Sequence, residues 1–312
     1  MEEKDSCYHV PVMLRESLEG LDIRPDGIYV DVTFGGGGHS REILKRLGSG
    51  GELYGFDQDP DAVAVATERL RGLPATVIHE NFRNAKAALH KLGVEKIDGV
   101  LLDLGVSSYQ LDAAERGFSY NNDAYLDMRM SKEGPSAADL VNTLPLQDLT
   151  DVLRNYGEEK FAYQIAKKIV ARRRDEAITT TKQLSDIVNS AYPAAERRKA
   201  KNPSRKTFQA LRIEVNDELG ALEDALDEFF EMLNPGGRMC IMTFHSLEDR
   251  MVKQYYKKLA VKCTCPPEYP ICVCGGKAKA EIITRKPIEA DRREQEENRR
   301  SRSAKLRILE KL

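Results

Sequence analysis

The sequence predicts an α/β protein, a doubly wound sheet interrupted by an inserted helical domain. Three observations carry that reading. Residues 29–40, YVDVTFGGGGHS, run from an apolar strand through an acid and four glycines into a helix start at Ser40. Strand–helix alternation then fills the first hundred residues and stops at Asp103. The rhythm resumes only near residue 218, beyond a mostly helical and strongly basic stretch. Near-continuous apolar strands alternating with helices indicate a parallel sheet covered on both faces.

Each element follows from its residues. Residues 28–32 form the first strand, and Ser40 caps a helix over 40–47. A second strand, 52–56, ends at Asp57. The next helix, 61–70, has Pro60 near its start, where proline is tolerated. Residues 75–79 are a third strand, and 84–92 a third helix closed by Gly93. The fourth strand, 97–102, is apolar apart from Asp98 and Gly99 and ends in Asp103. Segments 140–156 and 161–174 carry helical apolar spacing. A helix over 218–233, the turn Asn234-Pro235-Gly236-Gly237 and a strand over 238–244 restore the alternation. A helix at 247–259 and short strands at 282–284 and 306–309 follow, with a charged helix or loop at 289–303 between those strands. The expected boundaries are 1–111 with 208–312 for the sheet domain and 112–207 for the insertion.

The chain has 312 residues, 41% of them hydrophobic, so it can bury a sizeable core. No apolar run approaches the roughly 20 residues that span a bilayer, so no membrane partner is expected. The N-terminus, MEEKD, is charged and has no apolar segment after it, unlike a signal peptide. A reduced, cytoplasmic setting is therefore expected for its six cysteines. The net charge of −2 hides an asymmetry. Residues 160–212 hold 14 Lys/Arg against 4 Asp/Glu, whereas 214–231 hold 8 Asp/Glu and no Lys or Arg. The first block is a candidate electrostatic surface for nucleic acid; the plainer alternative is a set of solvated helix faces. Arg172, Arg173, Arg174, Arg197, Arg198 and Lys199 are its expected phosphate contacts.

Glycine admits positive φ and close approach of a ligand to the backbone, so the loop 35–38 reads as a cofactor cradle. It is not the dinucleotide fingerprint, because the third glycine of that pattern falls on Ser40. Asp57, ending the second strand, suits the two ribose hydroxyls of an adenosine. Alone, it would read as a helix cap. Phe82 suits an adenine ring, or ordinary core packing. Asp103, at the carboxyl edge where such sheets bind ligands, suits a cation. Gly, Asp, Phe and Asp at four strand ends fit S-adenosyl-L-methionine better than NAD, because that cofactor has adenosine and a cationic amino-acid tail but no pyrophosphate. His39 either caps the loop or touches that tail.

After Asp103 the loop 104–112, LGVSSYQLD, offers Ser107, Ser108 and an amide to a planar polar base. Both serines serve equally well as turn formers. An amine conjugated to a pyrimidine is a poor nucleophile, so an enzyme must align it and draw charge off its N–H. Phe244 and His245 follow the fifth strand at the same edge and are further candidates for holding a base. Ser246 and Asp249 are expected to cap the next helix. Cys263, Cys265, Cys272 and Cys274 form a C-x-C-x6-C-x-C array. Four thiolates could hold tetrahedral zinc; redox-active or simply reduced thiols are the alternatives, and no metal ligand is assigned.

These strings together, 29–40, 102–108 (LDLGVSS) and 244–250 (FHSLEDR), resemble the RsmH (MraW) family. So do 116–119 (RGFS), 126–130 (LDMRM), 207–212 (TFQALR) and 301–307 (SRSAKLR). The resemblance covers essentially the whole chain. It implies a class I methyltransferase that uses S-adenosyl-L-methionine and methylates N4 of a cytidine in 16S rRNA, at the decoding region of the small ribosomal subunit. It implies that the insertion helps recognise RNA. Cofactor contacts are implied at Gly37, Gly38, His39, Asp57, Phe82, Asp103 and Gln110. Ser107, Ser108 and His245 stand as candidates for orienting the cytosine. Tyr109 departs from the small residues or proline familiar at that point. A homo-oligomer is left open.

Overall fold

A computed structural model describes residues 11–199, 202–263, 265, 269–271, 273 and 276–312. In chain order, the elements before the insertion are α1 (Leu14–Leu21), β1 (Ile28–Asp31), α2 (Gly38–Leu44), β2 (Glu52–Asp57), α3 (Pro60–Arg69), β3 (Ala75–His79), α4 (Ala85–Lys91) and β4 (Ile97–Asp103). Seven helices follow: α5 (Ser108–Asp112), α6 (Ala137–Thr143), α7 (Leu146–Asn155), α8 (Ala162–Arg172), α9 (Thr181–Ala191), α10 (Ala194–Lys199) and α11 (Ser204–Asn216). The chain closes with α12 (Glu218–Met232), β5 (Leu233–Thr243), α13 (Ser246–Ala260), β6 (Ala280–Ile282), α14 (Arg292–Glu297) and β7 (Lys305–Lys311).

Two compact units result. One comprises the described residues up to Gly105 together with Gly220–Leu312; the other is Val106–Leu219. The division thus falls outside the expected boundaries on both sides. Val106, Leu111, Phe208, Leu211 and Val215 all join the apolar core of the helical unit, which draws those flanks into it.

The first unit is a seven-stranded sheet of order β3-β2-β1-β4-β5-β7-β6. β3, β2, β1, β4 and β5 pair in parallel, and β7 runs antiparallel between β5 and β6. This is the α/β, doubly wound sheet that the sequence predicts. Strand order reverses between β1 and β4, the switch point at which open α/β sheets bind ligands. Side chains alternate across the sheet as the pleat requires. Val30, Tyr54, Val100 and Leu102 pack with Leu89, Phe229, Val252 and Tyr256 in one core. Tyr29, Leu53 and Leu101 pack with Leu18, Leu21 and Ile43 in another.

Three local differences from the sequence expectation have physical causes. Pro145 divides the single helical segment expected over 140–156 into α6 and α7, since it lacks an N–H to continue the helix. Asn234-Pro235-Gly236-Gly237 lies inside β5 as a bulge rather than before it. The pairing with β4 jumps from Ile97–Leu233 to Gly99–Arg238, and Gly236 has φ 78°. β7 is longer than its apolar centre, because its charged residues are paired: Glu310 with Arg238 and Arg307 with Asp249. Among the described residues no helix is long and apolar enough to cross a membrane.

The second unit packs α6, α7, α8, α9 and α11 around Val141, Leu149, Leu153, Ile165, Ile169, Leu184 and Phe208. Its non-helical strip before α6 is fixed by a bidentate pair, Arg129 to Asp127, at 2.7 and 2.9 Å. Gly117 is required there, at φ 67°. A Cβ would stand 2.3 Å from the Tyr125 carbonyl oxygen.

Candidate active site

The apolar strands β1, β2 and β4 each end in an aspartate, so the fold delivers three carboxyls to one edge of the sheet. The glycine loop starts directly after β1. Gly37 caps α2 at φ 75°, and a Cβ there would come 2.8 Å from the Phe34 ring. A Cβ on Gly55 in β2 would come 2.0 Å from the same ring. Phe34 is buried, so it plugs the base of the loop and demands glycine on both sides. Gly38 faces Pro11, whose Cγ would lie 2.3 Å from an added Cβ.

Asp57 anchors the loop. Gly35 N–H donates to its Oδ2 and Asp59 N–H to its Oδ1, both at 2.8 Å. Burial nevertheless pushes the carboxyl up to about 6. Each carboxylate oxygen accepts about two hydrogen bonds, so capacity remains for ribose hydroxyls. Asp31 is fully enclosed, and Ser40 Oγ donates to it at 2.6 Å. Burial raises it to about 6 as well. The serine expected as the α2 cap thus supports this acid instead, and Gly37 takes the cap position.

Asp103 is the outlier. Its backbone N–H donates to Thr33 Oγ1 at 2.6 Å, which ties β4 to the loop. Its Oδ1 is buried with no hydrogen-bond partner. Burial, then the neighbouring Asp31 and Glu248, raise its carboxyl to about 8. His39 is buried beside it, with Nδ1 3.8 Å from Asp103 Oδ2. The other nitrogen, Nε2, lies 3.1 Å from the Val12 carbonyl oxygen. A carbonyl only accepts, so Nε2 carries the hydrogen and Nδ1 turns its lone pair toward Asp103. Burial lowers His39 to about 4, so the ring is neutral. Phe82 follows β3 in a single 3-10 turn, half-buried against the core.

An orphaned buried oxygen beside the enclosed Asp31 is a costly arrangement without a cation. The site fits the cofactor read from the sequence. Gly37 and Gly38 let the loop close on Phe34 and Pro11, where a Cβ would not fit, Asp57 retains acceptor capacity for a ribose, and Asp103 Oδ1 is ready for an ammonium. Thr33, Asp31 and Phe34 were not among the expected site residues. The T-F before the glycines was the available signal for two of them.

The other expected residues serve helices. Ser107 caps α5: Gln110 N–H donates to Ser107 Oγ at 3.2 Å, and Ser107 N–H to Gln110 Oε1 at 2.9 Å. Ser108 is the first residue of α5. The α13 cap is His245, not Ser246. His245 Nδ1 accepts from Glu248 N–H at 3.4 Å, and Glu248 Oε2 accepts from Phe244 N–H at 2.8 Å. Asp249 instead pairs with Arg307, at 2.7 Å. His245 Nε2 lies 3.1 Å from Glu248 Oε1, yet without hydrogen-bond geometry. Of the arginines expected on phosphate, Arg173 donates to the carbonyls of Val141 and Leu144, both at 2.8 Å, and closes the end of α6. Arg172 pairs with Glu176. In the cysteine array, Cys265 N–H lies 3.4 Å from Cys263 Sγ, whereas Cys272 and Cys274 fall outside the described residues.

The model of the MraW methylase family matches residues 6–312. Ribosomal RNA small subunit methyltransferase H 2 of Agathobacter rectalis is 54% identical, covering 97% of this chain and 98% of its own length. Ribosomal RNA small subunit methyltransferase H of Finegoldia magna is 52% identical over the same shares of the two chains. That of Clostridioides difficile is 51% identical over 98% and 99%. Among solved structures, an rRNA methylase from Streptococcus thermophilus aligns over 98% of this chain and 99% of its own, with TM-score 0.44 and 13% identity.

Proposed function

The chain belongs to the MraW methylase family, and we propose that it transfers a methyl group to N4 of a cytidine in 16S rRNA, at the decoding region of the small ribosomal subunit. The methyl donor is S-adenosyl-L-methionine, which supplies an electrophilic carbon on a sulfonium. The observation that carries the reading is the unpartnered Asp103 Oδ1 at the switch point, beside the glycine loop and the buried Asp31. Asp103 accepts from the cofactor's ammonium, and Asp57 from its ribose. Gly37 and Gly38 bring main chain close to its tail, and Phe82 packs against its adenine. Gln110, in α5, is a further cofactor contact. The relatives named as small-subunit rRNA methyltransferases support the substrate class.

The nucleophile is an amine whose lone pair is drawn into the pyrimidine. Its alignment with the sulfonium carbon supplies most of what this chain can contribute. Ser107, Ser108 and His245 are the candidates for orienting the cytosine. Ser107 Oγ, already accepting one bond, still has a proton to donate. A base within folded rRNA must be splayed out to enter such a site. The helical unit, with its excess of Lys and Arg over residues 160–212, contacts phosphate.

Transfer of labelled methyl from S-adenosyl-L-methionine to small subunits lacking the modification, followed by nucleoside analysis, tests this reading. Label in N4-methylcytidine is expected. Label in another nucleoside would overturn the assigned position, and no label with intact cofactor binding would remove the substrate.

A further inference from the structure

The tail end of the cofactor site is closed by three residues from the start of the described chain. Pro11 abuts Gly38 so tightly that no Cβ fits between them. The Val12 carbonyl accepts from His39 Nε2. Met13 is fully buried, yet its backbone is left-handed, at φ 50° and ψ 41°. A non-glycine residue holds that conformation only when its surroundings impose it. The Met13 carbonyl accepts from Ser17 N–H at 2.9 Å and its side chain is buried in the apolar core, and a side chain from the far end of the sequence holds its amide: Met13 N–H donates to Glu294 Oε1 at 2.7 Å.

Glu294 is itself held firmly. Its N–H donates to the cap residue Asp291 at 2.8 Å. The segment before α14 bonds to the sheet through Ile288 and Leu306, and Ala290 is buried in the core. A continuous path therefore runs from β7 through α14 and Glu294 to Met13, then through Val12 to His39, and so to Asp103. Its last step matters chemically. If the Val12 carbonyl moved away, His39 would be free to carry its hydrogen on Nδ1 instead. An N–H would then face Asp103 and compete with the incoming ammonium for the carboxyl.

We propose that Glu294 is a positioning residue for the cofactor. By fixing Met13 it holds the Val12 carbonyl on His39, and so keeps Asp103 Oδ1 and Oδ2 available to the amino-acid tail. This rests on the cofactor assignment made above. The effect is local to the tail, so it separates ligands with a tail from ligands without one.

The test compares binding of S-adenosylhomocysteine, which keeps the tail, with 5′-methylthioadenosine, which lacks it. The wild-type chain, Glu294→Ala and Glu294→Gln are measured by calorimetry. Glu294→Ala should weaken S-adenosylhomocysteine about tenfold, the scale of one charge-assisted hydrogen bond. Its affinity for 5′-methylthioadenosine should stay within about twofold, inside the measurement's resolution. Glu294→Gln retains Oε1 as an acceptor and should restore tail-dependent binding. Parallel weakening of both ligands would mark a general loss of structure and overturn the proposal, as would no weakening at all. A wild-type chain that binds neither ligand would overturn the cofactor assignment first, and this proposal with it.

Discussion

At the scale of single residues, Asp103 sets the most specific expectation. Its carboxyl stands near 8 in the folded chain, against roughly 4 in an unfolded one. Between those values the folded state binds more protons, so stability falls as pH rises and levels off above about 8. Asp103→Asn should flatten that decline: its melting temperature should drop less than the wild type's between pH 5 and 8.5. An ammonium ligand favours the carboxylate, so cofactor binding at pH 7 should release a proton and strengthen as pH rises. Calorimetry in two buffers of different ionisation heat measures this directly; equal heats would mean that Asp103 does not meet the cation. His245 invites a different substitution. Asn is a good helix cap, whereas Ala costs about 1 kcal/mol at such a position. His245→Asn should therefore hold stability near wild type while Ala does not, and methyl transfer by the Asn variant reports whether the imidazole has a further part. Asp57 and Asp103 were legible in the sequence because each ends an apolar run. Glu294 was not, because its partner Met13 lies 281 positions away.

At the scale of elements, the glycine loop and β2 share one plug. Gly55→Ala places a methyl against the Phe34 ring and should cost about 1–3 kcal/mol by overpacking. Phe34→Leu in the same chain should recover part of that loss. A strictly additive double-mutant cycle would mean that the two do not press on each other. The elements β1 to β4 were readable because all four are apolar runs closed by polar residues. α1 was not expected at all: its amphipathic face, Leu14, Leu18 and Leu21, stands among charged neighbours near a charged N-terminus. The α13 cap shifted by one residue because histidine, seldom a cap, replaces the commoner serine beside it. β7 was foreshortened in the reading because cross-strand ion pairs, invisible in one sequence, carry its charged ends.

At the scale of the whole molecule, the basic block separates into two kinds of arginine. Arg173→Ala leaves the carbonyls of Val141 and Leu144 without their donor and should destabilise the helical unit. Arg197, Arg198 and Lys199 lie on α10, which buries none of its residues. Their joint replacement by Ala should instead weaken binding to small-subunit rRNA and flatten its dependence on salt, with melting unchanged. Unaltered affinity in a salt titration would remove α10 from the RNA surface. The sheet order has a consequence for synthesis. β7, residues 305–311, lies between β5 and β6, and β4 finds its neighbour β5 only after the intervening 106–219. A ribosome emitting this chain from its N-terminus releases the helical unit as one continuous length, while β1 to β4 wait with an open edge. The sheet unit therefore closes only once residues 305–311 are free to pair with β5, after the helical unit has been released whole.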